Sequence, residues 1–520
     1  MKKKNKIPNY IVGMSLLVVL IAGCATPAAT TPASTLENLP TVIPAEPTVA
    51  PAEVTPTEVT PVQPKQTATT GQSDIDGRWE GSLTVADSSL ETIVYFRTED
   101  GTLKASLDIP PQNLFGYSLA NVEYDGSHVY FEGLEETGRK AVWNGSLTED
   151  GRISGTFSQA GYTGTFELTP AELVETSEEL LPYKEVEVTV QNGDITLGGT
   201  LTIPEGEGPF PAIVLISGSG AQNRDEEIYG FKLFGVIADQ LTRNGIAVLR
   251  YDDRGVGAST GDLVNATSSD FATDVLTWVI YLKIRQDINP KIIGLLGHSE
   301  GGMIAPMVAA QSDDIAFVVL MAGTAMTGEK IVYKQVEMIS RASGAAEAEI
   351  ETSLEMQQRV FDGLIRGQDW EGAKAAIHQQ IADQVNALPE TQKQALGDLD
   401  QYIETAYQQQ IDALESAWYR YFLEYDPLPV LEQTTVPVLA LFGGLDMQVP
   451  ADPNAELMKA ALRKAGNMDV TIITYPKANH LFQEAVTGSP EEYATLKQEF
   501  IPGFLDDLTG WIKVEAVLAQ

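Results

Sequence analysis

Lys291-Ile-Ile-Gly-Leu-Leu-Gly-His-Ser-Glu-Gly-Gly302 carries an apolar run directly into Gly297-His-Ser-Glu-Gly301. This pattern predicts a buried strand that turns sharply into a helix, with Ser299 at the apex. Glycines two residues to either side leave room for a strained serine backbone, which lifts the hydroxyl clear of the sheet. The small-residue helix that follows, Gly301-Gly-Met-Ile-Ala-Pro-Met-Val-Ala-Ala310, points its positive end at any negative charge formed there. The same spacing occurs again at Gly257-Ala-Ser-Thr-Gly261. There a polar loop precedes the serine and Asp262-Leu-Val-Asn-Ala-Thr follows it, with no apolar helix. Ser299 therefore reads as a nucleophile and Ser259 as loop structure.

A serine hydroxyl needs an adjacent base, and the base needs an orienting acid. The chain has 4 histidines, so the search is short. His128 falls in a β-rich region, His378 in a helical stretch, and His298 beside the nucleophile with its ring expected to point away. His480 remains, in Tyr475-Pro-Lys-Ala-Asn-His-Leu-Phe482, directly after the last apolar strand. The acid should follow the preceding strand, where Phe442-Gly-Gly-Leu-Asp446 supplies Asp446. Asp452, before Pro453 and a helical run, reads as a helix cap. Two preorganised N–H donors complete such a site. One is the Glu300 amide; the other is assigned to the Ser219 amide in Ser217-Gly-Ser-Gly220, the loop after Pro211–Ile216.

Working outward, Pro211–Ile216, Ile246–Tyr251, Ile292–Leu296, Ile315–Leu320, Val436–Phe442 and Asp469–Tyr475 are near-continuous apolar runs. Amphipathic segments separate them, and an Asn192-Gly193 hairpin precedes them. The alternation predicts an α/β fold with a mostly parallel sheet covered on both faces. Residues 327–433, rich in Ala, Glu, Gln and Leu, read as a helical insertion that caps the site, with Trp370, Trp418, Tyr419, Tyr421 and Phe422 as candidate pocket walls. Asp252, Asp253 and Arg254 read as a loop-stabilising ion pair.

Residues 76–170 alternate with period two between Glu99-Asp-Gly, Tyr124-Asp-Gly and Glu149-Asp-Gly turns, which predicts a small antiparallel all-β, barrel-like accessory domain. Residues 24–75, dominated by Thr, Pro, Ala, Val and Glu, read as a disordered tether. Residues 1–23, with Lys2, Lys3, Lys4 and Lys6 ahead of an apolar core that runs up to Ile21-Ala-Gly-Cys24, read as a signal peptide, a targeting leader outside the fold.

Several resemblances follow. Gly218-Ser-Gly220, Arg250-Tyr-Asp-Asp-Arg-Gly-Val-Gly-Ala-Ser259, Gly297-His-Ser-Glu-Gly-Gly302, Gly444-Leu-Asp446 and Asn479-His480 together resemble the serine-aminopeptidase-like carboxylesterase branch of the α/β-hydrolases. The likeness spans residues 180–520 apart from the insertion, and Ser299…Asp446…His480 follows that superfamily's triad order. It implies ester hydrolysis through an acyl-enzyme, with no metal or organic cofactor, and leaves the acyl group open. Many relatives begin the oxyanion loop with histidine where Ser217 stands here. The dehalogenase and epoxide-hydrolase relatives place aspartate at the elbow, which Ser299 speaks against. Residues 76–170 resemble the lipocalin-like domains placed ahead of secreted hydrolases, and Ile21–Cys24 resembles a bacterial lipobox.

A lipid on Cys24 would anchor the chain to the bacterial cell envelope, outside the cytoplasm. Cys24 is the only cysteine, so neither an intramolecular disulfide nor a thiolate nucleophile is available. A net charge of −38, from 72 acidic and 34 basic residues, argues against nucleic acid as a partner. Three activities remain: cleavage of small-molecule esters with short to medium acyl chains, exopeptidase or amidase action by the same triad, and ligand capture by an inert envelope protein.

Overall fold

A computed structural model describes residues 73–518, apart from 86–87, 100, 110–113, 135–139, 149, 160–161, 172–180, 391–392, 394–395 and 397. The leader, Cys24 and the tether up to residue 72 lie outside the described residues. The chain divides near residue 178 into two compact units.

In the first unit, β1 (Gly77–Val85), β2 (Ser88–Glu99), β3 (Thr102–Ile109), β4 (Leu114–Tyr124), β5 (His128–Leu134), β6 (Lys140–Leu147), β7 (Ile153–Gln159) and β8 (Tyr162–Pro170) form an antiparallel meander. β8 pairs back onto β1, closing a barrel with no free edge. Gly101, Gly126 and Gly151 take positive φ (77°, 97° and 80°) in the three Asp-Gly turns. Alternate residues point inward, and the interior is filled by side chains. Phe131 stacks on Trp143 at 5.3 Å, and Phe157 lies 4.9 Å from Trp143. Ile75, assigned to the tether from sequence, is fully buried in this core, and Trp79 Nε1 donates to its carbonyl at 2.8 Å.

The second unit is built on an eight-stranded sheet. Its strands are β9 (Tyr183–Asn192), β10 (Ile195–Pro204), β11 (Phe210–Ile216), β14 (Ala247–Tyr251), β15 (Ile288–His298), β16 (Phe317–Met321), β17 (Val438–Gly443) and β18 (Val470–Tyr475). A two-stranded ribbon, β12 (Glu227–Ile228) and β13 (Phe231–Lys232), stands apart from it. The order is β9-β10-β14-β11-β15-β16-β17-β18, parallel from β14 onward, with β9 and β10 antiparallel at one edge. Gly193 and Asp194 form the turn of that edge hairpin, closed by the Asn192–Ile195 pair.

In the centre of the sheet both faces are buried, so β14, β16 and β17 show no polar side, whereas edge strand β9 keeps one. Ala212, Val214 and Ile216 face one core, together with α2 (Ser268–Lys283), α3 (Gly301–Ala309) and the helix Ala451–Lys464. Ile213 and Leu215 face the other, together with α1 (Leu233–Arg243) and the helix Phe504–Leu518. Period-two alternation thus assigns successive apolar residues to opposite cores.

Between β16 and β17 the chain leaves the sheet for the helices Gly328–Ala342, Glu347–Arg366, Trp370–Ala387, Leu399–Glu415 and Ala417–Glu424. These share a core of their own around Val360, Phe361, Ile377, Tyr419 and Leu423. β16 is parallel to β15, so the excursion starts from the strand ends that also carry Ser217 and Ser299. Among the described residues, no helix is long and apolar enough to cross a membrane.

Candidate active site

β15 ends at His298, and Ser299 has φ = 54°, in the left-handed region that non-glycine residues occupy only at a cost of about 1–3 kcal/mol. The surroundings hold it there: its N–H donates to the Met321 carbonyl at 2.9 Å, and its carbonyl accepts from Gly302 N at 3.0 Å. The flanking glycines are sterically required. A Cβ on Gly297 would overlap the Gly301 carbonyl, and one on Gly301 would overlap the Ile216 carbonyl. α3 follows with Glu300 as its N-cap, and the Gly302 and Met303 amides of its first turn are taken by the Ser299 (3.0 Å) and Glu300 (2.8 Å) carbonyls.

Asp446 and His480 lie on the loops after β17 and β18, and both are 2% exposed. His480 Nδ1 stands 2.8 Å from Asp446 Oδ2, while Asp446 Oδ1 accepts from the amides of Gln448 (2.7 Å) and Val449 (2.8 Å). With the carboxylate so engaged, Nδ1 carries the hydrogen and Nε2 is left as an acceptor. The His480 loop is ordered by buried Asn479, whose Oδ1 accepts from Leu481 N and Gln483 N. Asp452 is exposed and lies in extended backbone at the start of the helix Ala451–Lys464.

The loop after β11 reaches the same point. A Cβ on Gly218 would lie 3.3 Å from Ser299 Cβ and 3.0 Å from Glu226 Oε1, so glycine permits the close approach. The Gly218 amide is already committed to Glu226 Oε1 at 2.6 Å, which removes it as a second oxyanion donor. Ser219, the next residue, lines a cavity with Ser299. Ser217 turns away and donates to Asp253 Oδ1 at 2.7 Å. Asp253 also accepts from Gln222 N, and burial pushes its carboxyl well above the ordinary range.

Two buried carboxyls near the serine make contacts the sequence reading did not anticipate: Glu226, which it did not single out, and Glu300, of which it used only the amide. Glu226 bridges Gly218 and His298, whose Nδ1 lies 2.8 Å away. Glu300 Oε1 accepts from Ser268 Oγ at 2.5 Å and from Trp418 Nε1 at 2.9 Å. Burial raises the Glu300 carboxyl, opposed by those two donors. Trp418 comes from the insertion, so this contact ties the inserted helices to the elbow.

A cavity of about 30 Å³ opens at Ser299 and Ser219. Ile331, Trp418 and Phe422 of the insertion wall it, together with Val449. Two of the five aromatic residues suggested as pocket walls are therefore there. Tyr419 is buried inside the insertion, Tyr421 stacks on Tyr425 at 5.6 Å, and Trp370 donates to Glu415 at 2.7 Å.

The remaining sequence candidates are structural. Ser259 Oγ donates to the Asp252 carbonyl (2.7 Å) and accepts from Gly198 N (2.9 Å), pinning its loop to β10. Asp252 pairs with Arg224 and Arg254 with Asp274, so the ionic contacts run outward from the loop and not within it. His128 meets Asn144 in the barrel, and His378 lies 3.5 Å from Glu404 in the insertion. Among the described residues, no group of three His, Cys, Asp or Glu side chains is placed to hold a metal ion.

A profile of the alpha/beta hydrolase family matches residues 213–496. The chain belongs to that family. This hydrolase is 27% identical over 369 residues to Esterase EstD of Thermotoga maritima, covering 71% of this chain and 75% of that one. It is 46% identical over 61 residues to a putative carboxymethylenebutenolidase of Yersinia pestis, 12% of this chain and 22% of that one. Among solved structures it resembles the Pyrococcus furiosus esterase PF2001 with a TM-score of 0.40 and 14% identity, over 67% of this chain and 95% of that one.

Proposed function

We propose that this hydrolase cleaves carboxylic esters of short to medium acyl chain through an acyl-enzyme on Ser299. The observation that carries the reading is the buried His480–Asp446 pair, on a loop whose His480 carbonyl meets His298, the residue before the positive-φ serine at the head of α3. The name of the Thermotoga relative agrees with it. Ser299 Oγ passes its proton to His480 Nε2 and attacks the ester carbonyl. Asp446 holds the imidazole in the accepting tautomer and stabilises the imidazolium that forms. The Glu300 and Ser219 amides hold the oxyanion. His480 protonates the departing alkoxide, and water then releases the acid by the same steps. No group beyond these residues and water is required.

The small cavity favours short acyl chains. By its lipobox-like leader, the protein is proposed to act outside the cytoplasm, anchored through a lipid on Cys24; a Cys24→Ser variant should leave the membrane fraction. Fluorophosphonate labelling of Ser299, together with kcat/KM for acetyl esters against aminoacyl-nitroanilides, tests the chemistry. Failure to label Ser299 defeats the reading, and a clear preference for the anilides makes the enzyme an amidase.

A further inference from the structure

Behind the proposed triad lies a second chain of hydrogen bonds that ester hydrolysis as written does not use. His298, the residue before the nucleophile, is 1% exposed. Its Nε2 lies 3.1 Å from the His480 carbonyl oxygen, and its Nδ1 lies 2.8 Å from Glu226 Oε1. A carbonyl oxygen can only accept, so Nε2 carries a hydrogen. The carboxylate oxygen on the other side already accepts the Gly218 N–H at 2.6 Å, and it faces Nδ1 as an acceptor again. Both ring nitrogens are then donors, which makes His298 an imidazolium inside the protein. Burial alone lowers the pKa of such a ring; the Glu226 carboxylate outweighs it, and the His298 value is raised. Asp446 adds to the same effect, and the His480 ring lies 4.8 Å from that of His298. Glu226 itself has φ = 45°, a conformation that glutamate adopts at a cost and that its surroundings must impose.

We propose that Glu226 is a positioning residue: through one ion pair with His298 it fixes both the oxyanion loop and the loop carrying His480. One oxygen, Oε1, serves both purposes. By taking the Gly218 amide it turns the following amide, that of Ser219, toward the substrate. By keeping His298 doubly protonated it keeps a donor on the carbonyl of His480, the residue that must present Nε2 to Ser299. Each loop has side-chain ties of its own, Ser217 to Asp253 on one and Asn479 to Leu481 N and Gln483 N on the other, and the Glu226–His298 pair joins the two. Separate drift of either by a fraction of an ångström lowers the rate without greatly changing substrate binding.

This inference rests on the ester-hydrolase reading, and its test separates the two. The full chain, labelled with ¹⁵N-histidine, contains 4 histidines, few enough for their ring nitrogens to be distinguished. At about pH 8, well above the ordinary histidine value of about 6.5, His298 should show two protonated ring nitrogens. In Glu226→Gln it should show one. Gln can accept the Gly218 N–H but cannot stabilise the imidazolium, so kcat should fall by about 10²-fold, as for the loss of one oxyanion donor, with KM changed by less than about threefold. A singly protonated His298 in the wild type overturns the proposal, as does a Glu226→Gln enzyme with kcat within about fivefold of wild type. Should that variant not fold, the wild-type spectrum still decides. Absence of fluorophosphonate labelling at Ser299 removes the ester-hydrolase reading instead, and it leaves the His298 spectrum unaffected.

Discussion

Replacing Asp446 with Asn isolates the tautomer of His480 from the rest of the site. Asp446 Oδ1 is held by two amides, from Gln448 and Val449, and these can anchor the Asn carbonyl oxygen unchanged. The Asn nitrogen then occupies the place of Oδ2, 2.8 Å from His480 Nδ1. It is a donor, so Nδ1 must become an acceptor and the hydrogen moves to Nε2, the atom that has to take the Ser299 proton. Were Asp446 only an orienting hydrogen-bond partner, its loss would be worth about 1.5–3 kcal/mol, or roughly 10- to 150-fold. A histidine locked in the wrong tautomer costs about 10⁴-fold, near 5.5 kcal/mol. The assay is kcat for p-nitrophenyl acetate, with thermal unfolding as the control for structure. We expect a loss near 10⁴-fold with the melting temperature changed by only a few degrees. A loss below about 150-fold in a folded variant would refute the tautomer argument.

Three further outcomes follow from the geometry. Ser259→Ala should keep its esterase activity and lose about 1–3 kcal/mol of stability in denaturant titration, because Gly198 N and the Asp252 carbonyl lose a buried partner. Shortening the insertion within residues 327–433 should move the acyl-chain optimum to longer chains by removing Ile331, Trp418 and Phe422 from the wall; an unchanged profile in a folded deletion rules the insertion out as pocket builder. Glu300→Gln tests pH dependence. The folded carboxyl binds its proton more tightly than the unfolded one, so wild-type stability is favoured in acid and lost as pH rises from about 4.3 through the folded value. Gln retains an oxygen for Ser268 and Trp418, so its stability relative to wild type should rise over that interval; a constant difference between about pH 3 and pH 8 counts against a raised value.

The parts legible in the sequence were those in which a local pattern and a steric need coincide. Gly297 and Gly301 mark the elbow because no other residue fits against the Gly301 and Ile216 carbonyls, and the apolar run of β15 marks the strand leading into it. The pairing of Asp446 with His480 was legible because each follows an apolar strand and histidines are few. The barrel was legible from alternation and Asp-Gly turns. What escaped was long-range. Glu226 is one acid in Asn223-Arg-Asp-Glu-Glu227, with no periodicity to separate the one buried beside His298 from its neighbours. The turning away of the His298 ring was expected, but not its contact with the carbonyl of His480, 182 positions later. Trp418 and Tyr419 are adjacent, and helical phase alone sends one to the cavity and the other into the core of the insertion.

Glu300 shows how the elbow and the insertion constrain one another. The residue after the nucleophile supplies an amide to the proposed oxyanion site, so its backbone is fixed while its side chain is free to vary. A carboxylate is an unfavourable choice beside developing negative charge, since it opposes the field that the helix terminus provides. Three features offset this. Burial shifts the group toward its neutral form, Ser268 takes up part of its charge, and Trp418 of the insertion supplies the remaining donor. Loss of the indole would take away one of the two donors on the buried Glu300 oxygen and leave Ser268 alone to satisfy it, so the elbow and the insertion share one hydrogen-bonded contact.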